Sequence, residues 1–388
     1  MRQLLGAWAL LIFLSGCATT NLPPIGASGK FTPEEDEKRL WKRSEEEQRS
    51  LSKSGFLYED QELESYLNEV ARKVQPPELR SQLPIRVRVI KNPYLNAFAF
   101  PNGVIYIHTG MLARMDNEAQ LATILGHEMS HATYRHSIRS FRHQKNKSAI
   151  LASFNNTLGS TPFVGGFVSV LGEVGTMASV SGYSSDLETE ADMEGLKQLI
   201  RAGYDPKESS KIFLMLKEEL EDEDISEPFF FGTHPRVKER LHNYEKFLKK
   251  DAANTSGGGK NTELFQNRTT RLLLDNALLD LKAGRYKQVR RGAERLLARR
   301  PGDARAHYLL GEVARQSDEA GEIPKAVTHF QKAIALNASY AEPYRSLGLI
   351  QFKKGERGAA RRNLQSYLTL SPTAADREFI EQYLKECK

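Results

Sequence analysis

The sequence predicts a mainly α protein with a small β-sheet, followed by an all-α repeat solenoid. Three observations carry this. The first 250 residues or so show the apolar spacing of amphipathic helices, interrupted by one region that alternates as strands do. Residues 251–260 then have the composition of a flexible linker, with three consecutive glycines at 257–259. Beyond them Gly284, Gly321 and Gly355 recur at spacings of 37 and 34 residues, the range of helical-hairpin repeats. At 388 residues two domains are expected, each large enough for a core. The boundaries read as 1–16 export signal, 17–32 tether, 33–250 first domain, 251–262 linker and 263–388 repeat domain.

Arg2 precedes an apolar run from Leu4 to Leu14, then Ser15-Gly16-Cys17. A positive start and a short apolar core read as an export signal, too short to span a bilayer as a stable helix. Leu14-Ser15-Gly16-Cys17 resembles the bacterial lipobox, so cleavage before Cys17 would leave a lipidated cysteine at the new N-terminus. Ala18 follows it, and by resemblance to Gram-negative lipoproteins this favours the outer membrane. The mature chain would face the periplasm on a short tether rich in Pro, Gly, Ser and Thr. The other cysteine is Cys387, so with Cys17 lipidated no internal disulfide forms.

Residues 33–74 carry charged helical patterns, with Leu63, Tyr66, Leu67 and Val70 on one face. Residues 85–90 alternate apolar and polar as a half-buried strand, and 104–107 form a second. His108, His136 and His143 read as structural or solvated. On a continuous helix His136 would turn about 140° away from His131. Residues 149–180 are apolar and glycine-rich, but Asn155, Asn156, Pro162 and Glu173 interrupt them. No uninterrupted run approaches the roughly 20 residues of a membrane span. Buried helices and a mobile loop beside the site are expected there.

In the repeat region Leu310-Gly311 recurs as Leu347-Gly348, Ala326 as Ala360 and Phe330 as Leu364. This resembles tetratricopeptide repeats, whose stacked helix pairs offer a concave binding face. From residue 261 onward there are 23 Lys/Arg and 15 Asp/Glu, a net of +8, leaving −2 for the rest of the total of +6. Arg285, Lys287, Arg290, Arg291, Arg295, Arg299 and Arg300 crowd one stretch. Export argues against nucleic acid as the partner. An acidic protein surface or anionic lipid headgroups suit the patch, and so does plain solvated charge.

The chemistry lies in Gly126-His127-Glu128-Met129-Ser130-His131, an H-E-x-x-H motif inside a helical segment. Residues four apart share a helix face, so His127 and His131 can grip one Zn²⁺. Glu128 is then placed to take a proton from a water that the metal activates. A third ligand is needed. Glu188 and Asp192, four apart downstream, offer a metal ligand and an acceptor for the second N–H of a bound histidine. The same acidic run also suits a solvated helix start, with Glu190 the next candidate ligand. Thr233-His234-Pro235 and Arg240 follow; a lone His before a Pro is by itself a structural feature.

Taken in order, H-E-M-S-H, E-T-E-A-D and T-H-P-x-x-x-x-R resemble the HtpX/BepA-type zinc metallopeptidase family, related to the CAAX-prenyl-protein endopeptidases. Asn96-Ala97-Phe98-Ala99-Phe100-Pro101-Asn102-Gly103 resembles that family's segment before a strand. The resemblance covers about residues 33–248. It implies a zincin-type domain with one zinc per chain, held by His127, His131 and Glu188. Glu128 would be the general base and Asp192 would support a ligand. His234 and Arg240 would sit at the metal's open side, capping it or stabilising an oxyanion. Asn96, Ala97, Phe98 and Ala99 would bind substrate, the Phe98 strand pairing with an extended polypeptide.

The expectation is a lipid-anchored zinc endopeptidase that cuts misfolded or misassembled outer-membrane proteins. Its repeats would bind substrate or dock on the outer-membrane assembly machinery. The alternative, from another class, is a chaperone-like adaptor that cuts rarely or never.

Overall fold

A computed structural model of the chain describes residues 22–27, 29–145, 170–179, 182–223, 237–251, 257–317 and 321–387. Cys17 and His234 lie outside them, as does most of 149–180. Among the described residues no helix is long and apolar enough to cross a membrane.

Helix α1 (Glu35–Lys53) opens with a capping box, Glu34 and Glu37 each bonding the other's backbone N–H. In α2 (Gln61–Val74) Asp60 caps the Leu63 N–H, and Leu63, Tyr66, Leu67, Val70, Ala71 and Val74 form one buried stripe. The sheet follows, from β1 (Arg86–Ile90), β2 (Ala97–Ala99) and β3 (Val104–His108). Its order is β1-β3-β2. β1 runs parallel to β3, and β2 antiparallel with Phe98 opposite Tyr106. The strand carrying the expected substrate residues is therefore an edge.

After α3 (Thr109–Arg114) comes α4 (Glu118–Thr133), capped by Asn117. All sixteen of its residues are buried, so this is the central helix of the domain. Around it lie α5 (His136–Lys145), α6 (Glu173–Ser179), α7 (Ser185–Arg201), α8 (Lys207–Glu223) and α9 (Val237–Asp251).

The C-terminal part is a stack of helices of the tetratricopeptide kind: α10 (Thr262–Lys282), α11 (Tyr286–Arg299), α12 (Ala304–Gln316), α13 (Glu322–Leu336), α14 (Ala341–Lys353), α15 (Arg357–Leu370) and α16 (Arg377–Glu386). The two Leu-Gly repeats explain its closeness. A Cβ on Gly311 would run into the Phe330 ring, and one on Gly348 into Leu364.

The two parts are not separated as the glycine-rich stretch suggests. Leu272, Leu273, Val289 and Leu309 share one buried core with Leu63, Met111 and Leu121. Four buried charges sit across the junction. Arg114 reaches Glu219 at 2.7 Å and Asp280 at 3.3 Å, and Arg285 reaches the same two carboxylates at 2.9 and 2.7 Å. Residues 257–261 are pinned rather than loose. Gly259 N–H donates to Gly203, and Glu118 N–H at the start of α4 donates to Lys260. The glycines serve close approach there: a Cβ on Gly258 would stand 2.2 Å from the Tyr204 carbonyl carbon.

This junction also consumes part of the basic stretch. Arg295 donates across it to the carbonyls of Arg114 and Met115. The expected tether is likewise partly fixed. Leu22 and Ile25 are buried, and Ile25 N–H donates to Thr133 at the end of α4.

Candidate metal centre

Two elements build the centre. Helix α4 presents His127 and His131 on one face, and α7 lays Glu188 across them. The helices can do so because Gly126 and Gly195 meet where they cross, with no side chain between the backbones. His127 Nε2 and His131 Nε2 are 3.0 Å apart. Glu188 Oε2 is 3.5 Å from His127 Nε2, and Glu188 Oε1 is 3.4 Å from His131 Nε2. Donors about 2.0–2.1 Å from a tetrahedral ion stand about 3.3 Å from one another. The three side chains thus form one face of a zinc-sized tetrahedron. Among the described residues they are the one group of three or more such side chains close enough to share an ion. Two imidazoles and a carboxylate, all buried, suit zinc.

Groups behind the ligands set their orientation. Asp192 Oδ1 lies 2.9 Å from His127 Nδ1, which puts the proton on Nδ1 and turns Nε2 forward. Arg240 holds Asp192 with both edges of its guanidinium, Nε to Oδ2 at 2.8 Å and Nη2 to Oδ1 at 2.6 Å. It also reaches Glu188 Oε2 at 3.4 Å. Tyr244 donates to Asp192, and the Phe213 ring lies under the guanidinium at 4.5 Å. The resemblance put Arg240 on the open side of the metal. In the structure its donors reach Asp192 and Glu188, and its Nη2 also lies 3.2 Å from His127 Nδ1 and 3.4 Å from His127 Nε2.

Burial pushes the His127 imidazole down to about 4, aided by the Arg240 charge and opposed by Asp192 and Glu188. The ring is neutral, as a ligand must be. Burial works to raise the Asp192 carboxyl, but Arg240 and His127 beside it hold it well below the usual carboxylate range.

Glu128 is buried on α4 next to His127. Burial raises the Tyr183 phenol, and the nearby charges of Glu128 and Glu188 add to that rise. Tyr183 stacks on the His131 ring at 4.0 Å between centroids. Sequence reasoning gave Tyr183 no part, although it stands just ahead of the helix that carries Glu188.

His136 is also nearer than its spacing suggests. A turn of about 140° holds only on one continuous helix, but Arg135 takes a left-handed conformation with φ 59°. The chain swings round, α5 starts afresh, and His136 Nδ1 arrives 2.8 Å from His131 Nδ1. Glu190, the other candidate ligand, faces His136 at 3.1 Å instead of the metal site. His108 is structural, its Nδ1 against the Tyr94 carbonyl at 3.2 Å.

Asn96, Ala97, Phe98 and Ala99 are all buried, at 0–4% exposure. Phe98 stacks on Tyr106 and His108 N–H donates to the Asn96 carbonyl. Their side chains belong to the core, so a substrate contact at β2 would run through its backbone edge.

Residues 58–247 match Peptidase family M48, and residues 319–355 match a TPR repeat. The beta-barrel assembly-enhancing protease of Escherichia coli (strain K12) is 26% identical over 310 residues, 71% of this chain and 62% of that protein. The protein of the same name from Yersinia pestis is 28% identical over 227 residues, 57% of this chain and 46% of that one. The mitochondrial metalloendopeptidase OMA1 of Arabidopsis thaliana is 31% identical over 158 residues, 40% of this chain and 30% of its own. The matches thus span less than two thirds of the length of these relatives.

Proposed function

Residues 58–247 being a Peptidase family M48 domain, we propose that this chain is a zinc-dependent endopeptidase acting on misfolded or misassembled outer-membrane proteins. The observation that carries the reading is the buried triangle of His127, His131 and Glu188, with donor atoms 3.0–3.5 Å apart and Glu128 adjoining. Relatives named for protease activity and for β-barrel assembly support the substrate class.

Zinc held there supplies Lewis acidity, which makes water a usable nucleophile near neutral pH. The chain's own residues do the rest. Burial and the Arg240 charge keep His127 neutral, and Asp192 keeps it aimed. Glu128 takes the proton from the attacking water and passes it to the leaving amine. The backbone edge of β2 aligns an extended polypeptide. His234 either caps the metal or donates to the oxyanion. The repeats bind substrate or dock on the assembly machinery, and a lipid on Cys17 holds the enzyme to the envelope, facing the periplasm.

The test is cleavage of casein by the purified protein, with and without a zinc chelator. Cleavage that the chelator abolishes and added zinc restores is the expected result. Cleavage indifferent to the chelator would sink the reading.

A further inference from the structure

The two metal-binding histidines are backed differently. His127 has a buried carboxylate and an arginine behind it. His131 has a chain of three residues that runs outward to the surface. Its Nδ1 lies 2.8 Å from His136 Nδ1. The Nε2 of His136 lies 3.1 Å from Glu190 Oε2, and Arg139 Nη1 donates to that same oxygen at 2.6 Å. His136 is fully buried, while Glu190 and Arg139 are about a third and a quarter exposed.

With His136 neutral, these contacts are satisfied by a single order of protons. Both oxygens of Glu190 are acceptors, so His136 Nε2 carries its hydrogen toward Glu190. Neutral His136 then has a bare Nδ1, which can only accept. His131 must donate to it from Nδ1, and its own Nε2 is left bare. That is the atom standing 3.4 Å from Glu188 and 3.0 Å from His127.

The chain of contacts is anchored from outside. Arg135 makes the left-handed turn that brings His136 back. Glu37 holds Arg135 through two contacts of 3.0 and 2.7 Å, and the Pro23 carbonyl accepts a third at 3.3 Å. Such a conformation is strained for a non-glycine residue, and these partners hold it in place.

We infer that His136 and Glu190 are positioning residues for the metal centre: they fix the tautomer and ring plane of His131 through the His131–His136–Glu190–Arg139 chain. This rests on the zinc reading above. Support of this kind typically changes metal affinity by about 10–100-fold.

The test is zinc affinity of the full chain by competition with a chromophoric chelator, for wild type, His136→Leu, His136→Gln and Glu190→Ala. Leu neither accepts nor donates, and affinity should fall about 10–100-fold. Gln can accept from His131 with its carbonyl and donate to Glu190 with its amide, and should recover most of the loss. Glu190→Ala frees the His136 tautomer and should weaken binding several-fold. Rescue by Gln separates positioning from packing, since Gln matches the ring no better than Leu does. Should His136→Leu fail to fold, the Gln and Glu190 variants carry the test. A His136→Leu or Glu190→Ala protein binding zinc as tightly as wild type overturns the inference. So does a Gln variant no better than Leu. Wild type that binds no zinc overturns the earlier reading instead.

Discussion

Gly126 of α4 and Gly195 of α7 meet backbone to backbone. A Cβ on Gly195 would lie 2.8 Å from the Gly126 carbonyl carbon, and one on Gly126 would lie 2.9 Å from the Gly195 carbonyl oxygen. This crossing sets the distance between the two histidines and the carboxylate. Either substitution to alanine must push backbone, which gives less readily than a side-chain tip. Gly195→Ala should cost about 1–3 kcal/mol, the usual scale of overpacking, and weaken zinc binding because Glu188 and Asp192 move with α7. Thermal unfolding and chelator competition check it. Unchanged values in both would mean that the crossing does not set the site.

Glu128 adjoins His127 but lies outside the ligand triangle. Glu128→Gln should keep its metal while proteolysis falls by about 10² or more, the scale of general-base loss. Casein turnover at equal zinc content checks it. Turnover like that of wild type would remove Glu128 from the chemistry.

Glu208 ties the start of α8 to the cap of α4. It accepts from Asn117 at 2.8 Å and Gln120 at 2.9 Å, and pairs with Lys211 and Lys260. Burial works to raise its carboxyl, but these four partners bring it down to about 2. The folded value is thus below the ordinary 4.5. Its contribution is complete above about pH 4.5 and fades as pH falls toward 2. Glu208→Gln should flatten the acid limb of the Tm-versus-pH curve between pH 5 and pH 3. An unchanged slope would mean that other carboxylates control acid unfolding.

The junction charges bear on where the chain can be cut. Ending it at Asp251 removes α10 and α11, exposing Leu63, Met111 and Leu121 and stranding Arg114 and Glu219 without Asp280 and Arg285. Breaking one buried pair costs about 3–5 kcal/mol. A chain ending at Asp251 should be poorly soluble or melt well below wild type. One ending at Arg299 keeps both helices and should be much closer to it. Equal melting of the two would show that the first repeat adds nothing to the peptidase fold.

The clustering of the candidate ligands was legible in the sequence because a helix makes spacing into geometry. His127 and His131 are four apart on α4, and Glu188 and Asp192 four apart on α7. The repeats were legible because Gly311 and Gly348 recur where helices must approach. What the sequence hid depends on chain reversals. Nothing in the letters announces that Arg135 turns left-handed, so His136 read as facing away. Gly258 and Gly259 read as flexibility because a glycine needed for close approach looks the same as one in a free linker. The role of Gly126 was masked by its place beside the motif. Arg240 was found, but its charge went to Asp192 and Glu188, a pairing that only the packed α7–α9 arrangement sets.

Metal content of wild type and Glu188→Ala, purified side by side, tests the central claim most directly. With three donors the site should hold about one zinc per chain, and with two histidines it should hold little after dialysis against a weak chelator. Near-stoichiometric zinc in wild type and its loss in Glu188→Ala is the predicted result. Full occupancy in Glu188→Ala, or none in wild type, would contradict a centre built on His127, His131 and Glu188.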